Sequence, residues 1–197
     1  MKLCRWREHA SRVRLTLSGM ATMNEARQEV AGKPSSLAAL AGKYLTFRLA
    51  NEEYGLEIMK VQEIIGMMQV THVPRVPDYV RGVINLRGRI IPTIDLRAKF
   101  GLERVKDTDK TCIIVVEIMS AKGKVSVGII VDEVAEVLDV GADEVDHAPE
   151  FGTSLSMDFI LGVGIVKSAV KILLDIDKVL TFEEAKLVQG IVQPSVA

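Results

Sequence analysis

Aromatic residues make up 5% of this 197-residue chain, and it holds two cysteines and three histidines. Each scarcity removes a class of function. A surface that binds single-stranded nucleic acid stacks bases on aromatic rings over a basic groove, and the material for one is missing. Cys4 and Cys112 form no disulfide framework, and two isolated thiols point to a reducing compartment. His9, His72 and His147 are far apart, and none has Cys or a second His at metal-ligand spacing. Long apolar runs are absent too. The best candidate, FILGVGIVKSAVKILL, is interrupted by Lys167 and Lys171 and falls short of a membrane span. The N-terminus MKLCRWREHASRVRLTLSGM has no continuous apolar core and is a poor signal peptide.

Charge of one sign is also lacking, since the formal net charge is −1. It is unevenly spread. Residues 1–42 carry seven basic side chains against three acidic ones, which leaves residues 43–197 at −5. An acidic folded part argues against nucleic acid as a partner. Residues 1–42 are expected to be a disordered or misassigned extension, with Met20 or Met23 as alternative starts. The motif GKPSS at 32–36 is no phosphate loop, because the upstream Gly is missing and Pro34 stands where Ser or Thr would hold magnesium. No nucleophile and base are paired, so neither an enzyme nor a cofactor is expected. Asp175 and Asp177 of LLDIDK alternate with apolar residues and read as a solvated face, and Asp132 and Glu133 as strand-end polar residues.

What is present is strand pattern, with 48% hydrophobic and 26% charged residues. YLTFRLANEEYGLEI alternates and then turns at Asn51-Glu52-Glu53, a hairpin signal. In GVINLRGRIIPTIDLR, Val83–Leu86 and Arg89–Leu96 are expected to pair around Arg87-Gly88, with Gly supplying the positive φ of a tight turn. Nothing in the turn calls for the arginine. Pro92 lacks an amide hydrogen, so its strand is expected at an edge or at a bulge. RAKFGL at 97–102 reads as one helical turn closed by Gly101. Thr181 and Glu184 have capping-box spacing for a C-terminal helix over 181–190.

The pattern occurs twice. GLEIMKVQEII at 55–65 matches GIIVDEVAEVL at 128–138, and GVINLRGRIIPTIDL at 82–96 matches GVGIVKSAVKILLDI at 162–176, with Asp95 facing Asp175. Two similar β units follow, about 43–105 and 106–180, with an exchange of strands between them as the alternative. Units this small need to pack on each other.

YLTFRLANEEYGLEIMKVQEI, GVINLRGRIIPTIDLRAKFGL, VGIIVDEVAEVL and APEF together resemble the CheW family of chemotaxis coupling proteins. The resemblance runs from about Tyr44 to the final helix. It implies a mainly β fold of two tandem SH3-like five-stranded barrels packed together, with short helices and a C-terminal helix. It also implies a non-catalytic adaptor that couples the cytoplasmic tips of methyl-accepting chemoreceptors to the regulatory domain of the histidine kinase CheA. Receptor contacts would fall on Val61, Glu63, Gly82, Arg87 and Gly128, in a groove between the barrels. Kinase contacts would fall on Phe151 of APEF and, on an edge of the second barrel, on Val125, Val127 and Ile129. The protein would be cytoplasmic and recruited to receptor arrays, without membrane insertion. The alternatives are a same-fold adaptor of a non-flagellar chemosensory pathway, or a small-molecule or oligonucleotide-binding barrel.

Overall fold

The computed structural model describes residues 38–120, 123–146, 158–166, 169–180, 184 and 190. Strand β1 (Gly42–Leu49) is buried on both faces from Tyr44 to Phe47. Leu45, Phe47 and Leu49 pack into one cluster, while Tyr44 points the other way into a second. Strand β6 (Cys112–Ser120) does the same: Ile114, Val116 and Ile118 share the cluster of Leu45, and Ile113 and Val115 enter a third. Successive side chains of a strand alternate faces, so a strand buried on both sides reads as a continuous run.

These two strands belong to different sheets. The remaining strands are β2 (Glu52–Glu57), β3 (Val61–Gly66), β4 (Val80–Leu86), β5 (Arg89–Asp95), β7 (Gly123–Val131), β8 (Glu133–Val140), β9 (Val145–Asp146), β10 (Ile160–Val166) and β11 (Ala169–Leu174). One sheet has the order β8-β1-β2-β11-β10-β9, the other β3-β6-β7-β5-β4. Apart from the two-residue β9, the orders correspond strand by strand. Each contains one parallel pair, β11 with β2 and β5 with β7. The five-stranded sheet closes on itself where Thr71 and Val83 exchange both backbone hydrogen bonds, at 2.8 and 2.9 Å.

The sheets do not follow the expected halves 43–105 and 106–180. The chain leaves the first sheet after β2 and enters the second at β3, then returns between β7 and β8. Each sheet therefore carries one strand that continues directly from the other: β3 extends from β2, and β8 from β7. The repeated segments 55–65 and 128–138 are these two crossings. Contacts also reach just before residue 43. Gly42 pairs with Val140, Leu40 packs beside Tyr44, and the Tyr44 hydroxyl donates to the Leu40 carbonyl at 2.8 Å.

Between the sheets lies the shared cluster, with Leu56, Leu174 and Leu180 on one side and Ile94, Val116, Val127 and Ile129 on the other. A fully buried side chain of this size contributes roughly 1.5–3 kcal/mol. Two short helices cover it, α1 (Leu96–Lys99) and α2 (Ile176–Val179), each following the parallel strand of its sheet. Asp95 and Asp175 are their N-caps, accepting from Ala98 N and Asp177 N at 3.2 and 3.1 Å. The solvated face expected at Asp175 and Asp177 is thus a helix start. A carboxylate there satisfies amides that have no partner within the helix.

Pro92 lies neither on an edge strand nor at a bulge. It pairs with Val83 inside β5, and the ladder from β5 to β7 begins one residue later at Thr93, so its missing donor interrupts nothing. The C-terminal helix over 181–190 falls largely outside the described residues. Glu184 and Gly190 are helical, and Lys99 Nζ reaches both carboxylate oxygens of Glu184 at 2.7 Å while lying 4.6 Å from the centre of the Tyr79 ring.

Candidate binding surface

The turn between β4 and β5 is built on two residues with positive φ, Arg87 at 54° and Gly88 at 84°. That is the signature of a type I′ turn, whose twist matches that of the flanking strands. The Asn85 side chain closes it by accepting from Gly88 N at 2.8 Å. Glycine is at ease there and arginine is not, because a left-handed backbone brings Cβ against the following carbonyl. The turn therefore disfavours any residue with a Cβ at 87, yet it carries arginine.

The Arg87 guanidinium donates to Glu63 Oε1 at 2.5 Å. Its side chain remains 78% exposed, and that of Glu63 is 29% exposed. The pair therefore displays a cation on an anionic footing at the rim of the five-stranded sheet. A polar row runs beside it. Arg89 donates to Ser126 Oγ at 3.0 Å, Ser126 donates to Gln62 Oε1 at 2.9 Å, and Gln62 donates to Glu117 Oε2 at 3.3 Å. Lys124 pairs with Glu117 at 2.6 Å at the end of the row. These residues were missed in the sequence. Their signal was available in the alternation of polar residues on β3, β6 and β7 opposite the buried apolar ones.

The five expected receptor residues all fall in the five-stranded sheet or its turn, on β3, β4 and β7. Only Glu63 and Arg87 are brought together as an exposed pair. Val61 is partly buried and packs against the shared cluster. Gly82 and Gly128 offer no surface, being buried. At Gly82, with φ 140°, a Cβ would stand 2.1 Å from the Thr71 carbonyl oxygen, so glycine is what lets the closing bridge form. At Gly128 a Cβ would meet Ile113 Cγ2 at 2.8 Å and Thr93 Cγ2 at 3.1 Å. Both glycines answer to packing.

The expected kinase residues on β7 need correction. Val127 and Ile129 are 1% and 2% exposed in the shared cluster, and Val125 is partly buried against it. Strand β7 runs between β6 and β5 and is no edge. Apolar residues alternating with Ser126 and Gly128 are core here because the sheet is covered on that side. Phe151 lies outside the described residues.

Among the described residues no cluster of three or more His, Cys, Asp or Glu could hold a metal ion, and no helix is long and apolar enough to cross a membrane. Burial, with Glu57 nearby, pushes the Tyr44 hydroxyl up to about 12. Tyr79 is raised as well, by burial and then by its hydrogen bond with Glu184.

The family model described as the CheW-like domain matches residues 43–184. The chain is 40% identical over 175 residues to a chemotaxis protein CheW of Klebsiella aerogenes, covering 89% of this chain and 98% of that protein. It is 34% identical over 140 residues to a chemotaxis protein CheW of Rhizobium meliloti, covering 71% and 88%. The crystal structure of the scaffolding protein TtCheW from Thermoanaerobacter tengcongensis superposes with a TM-score of 0.65 at 31% identity, covering 74% of this chain and 97% of that one. With a family match over most of its length and relatives covered nearly end to end, this chain belongs to the CheW-like family of chemotaxis proteins.

Proposed function

We propose that the chain is a non-catalytic adaptor that couples the cytoplasmic tips of methyl-accepting chemoreceptors to the histidine kinase CheA. Membership of the chemotaxis family supports the general role. One observation supports the finer assignment: Arg87 is 78% exposed on a backbone conformation that disfavours it. A side chain retained against its own backbone preference points to a demand from outside the fold. The guanidinium presents several donors in a planar fork suited to carboxylates and helix-end carbonyls of a receptor tip, and Glu63 holds it upright. By the same resemblance, Phe151 faces the kinase regulatory domain, and the protein acts in the cytoplasm beneath receptor arrays.

Co-sedimentation with receptor-bearing membranes tests this. The wild-type chain is expected to carry CheA into the pellet only when receptors are present. Arg87→Ala is expected to stay in the supernatant with CheA still bound to it. Equal pelleting of both proteins overturns the assignment of Arg87.

A further inference from the structure

The polypeptide passes between the two sheets at residues 58–60 and at Asp132, and a carboxylate clamps each passage. At the second passage Asp132 itself divides its oxygens. Oδ2 accepts from Ala50 N, in the β1–β2 turn of one sheet, at 2.7 Å; Oδ1 accepts from Arg97 Nε, on α1 behind the other, at 2.7 Å. Arg97 also donates to the Glu103 carbonyl at 2.6 Å, which fixes its reach. At the first passage the carboxylate is Asp177 of α2. Its Oδ2 takes Lys60 Nζ of the connector at 2.5 Å, and its Oδ1 takes the amide of Met119, at the end of β6 in the other sheet, at 2.8 Å.

The two clamps sit at corresponding passages with their charges reversed, although the repeat aligns Lys60 with Glu133, one residue after Asp132. Asp95 and Asp175 cap equivalent helices, so Arg97 and Asp177 occupy equivalent places, two residues on. Each grips the passage it faces, Arg97 through Asp132 and Asp177 through Lys60. Each clamp joins one carboxylate, one cation and one backbone amide across the boundary between sheets. The attraction of the shared apolar cluster beneath them is non-directional, and the clamps add directional contacts to its packing. Charge-assisted hydrogen bonds are short and directional, and an amide held by a carboxylate fixes the backbone as well as the side chain. Ala50 adopts φ 54°, so the turn that offers its amide to Asp132 is itself held in an uncommon conformation. Lys43–Asp139, by contrast, joins β1 to β8 within one sheet, with both side chains mostly exposed.

We infer that Asp132 and Asp177 are positioning residues that fix the orientation of one barrel on the other, and through it the presentation of the Arg87–Glu63 face relative to the kinase-bound part of the molecule. The second half of this statement rests on the function proposed above; the first half does not. The passage strands explain how the effect travels. β3 carries Glu63 and begins at the Lys60 clamp, so loosening that clamp acts at the start of the strand on which Arg87's partner stands.

The test uses the full-length chain with Cys4→Ser and Cys112→Ala. Spin labels are placed on cysteines at the exposed positions Val137, on β8 of one sheet, and Ile90, on β5 of the other. Pulsed dipolar spectroscopy reads the distance distribution without receptor or kinase. Asp132→Asn with Asp177→Asn is expected to broaden it beyond that of Asp139→Asn, the within-sheet control. Each single variant should broaden it less, which serves if the double variant does not fold. In a reconstituted mixture the unlabelled double variant should lose receptor-stimulated kinase activity about tenfold while keeping kinase binding, within the usual range of coupling effects. Distributions no broader than the control overturn the clamps. Broadening with undiminished receptor stimulation overturns their part in positioning the Arg87 face. Because the distances are read on the isolated protein, failure of the adaptor function would leave the first result standing.

Discussion

Arg87 sets folding and function against each other at a single residue. A non-glycine side chain in the left-handed region costs roughly 1–2 kcal/mol, and asparagine tolerates it best. The exposed ion pair with Glu63 returns only about 0–1 kcal/mol. Arg87→Asn should therefore raise stability by about 1 kcal/mol in urea titrations, an increase that a purely structural arginine would not allow. Gly82→Ala should do the opposite. Its Cβ would collide with the Thr71 carbonyl that closes the five-stranded barrel, and a loss of about 2–4 kcal/mol is expected in the same titration. Tyr44 gives a pH signature. Its folded value of about 12 lies above the ordinary value of 10.0, so its contribution is complete below pH 10 and is lost as the pH rises toward 12. Tyr44→Phe should make alkaline unfolding less steep in that window, read by circular dichroism. The arginine was legible in the sequence as an oddity at a hairpin tip, but its positive φ was not, because glycine at 88 alone could have satisfied several turn types. The glycines were ambiguous for a different reason: close packing and partner contact both select glycine, and only the distance to Thr71 decides between them.

At the scale of strands and short helices, the twofold pattern carries the most information. Asp95 and Asp175 face each other in the repeat and both prove to be helix caps, so the spacing had a backbone cause. Replacing Asp175 by alanine should cost about 0.5–2 kcal/mol, the ordinary effect of losing a cap. Asp95→Ala should cost more, because Asp95 is 6% exposed and also holds Arg81 at 3.3 Å, whose guanidinium would lose one of its two carboxylate partners. Denaturant melts of the two variants side by side check the order. Hairpins β1–β2 and β4–β5 were legible because a turn between alternating runs joins strands that are neighbours in sequence. The exchange of β3 and β8 was left open, because a repeat shows that two segments resemble each other without showing which sheet each joins. Val127 and Ile129 were misplaced for a related reason. An apolar, alternating strand has the same sequence whether it faces a partner or the second sheet, and β7 faces the second sheet.

For the whole molecule, the fold class was readable because small β units with both faces apolar must stack, and the family blocks fixed how. The start of the folded unit was less so, since Leu40 and Gly42 belong to a stretch of small residues with no strand pattern. A chain cut before Lys43 loses Leu40 and the Gly42 pairing, and it should melt below one cut before Ser36 by about 1–2 kcal/mol of stability. The central claim concerns what the assembled barrels present to a receptor. Receptor-stimulated CheA activity, measured in a reconstituted mixture with kinase binding and thermal melting on the same samples, tests it most directly. Arg87→Asn should melt at or above the wild-type temperature, bind the kinase as the wild type does, and lose receptor stimulation tenfold or more, the loss expected when an interface anchor worth about 1.4 kcal/mol or more is removed. Undiminished stimulation at normal kinase binding would contradict it, and would leave Arg87 a surface charge on a strained turn.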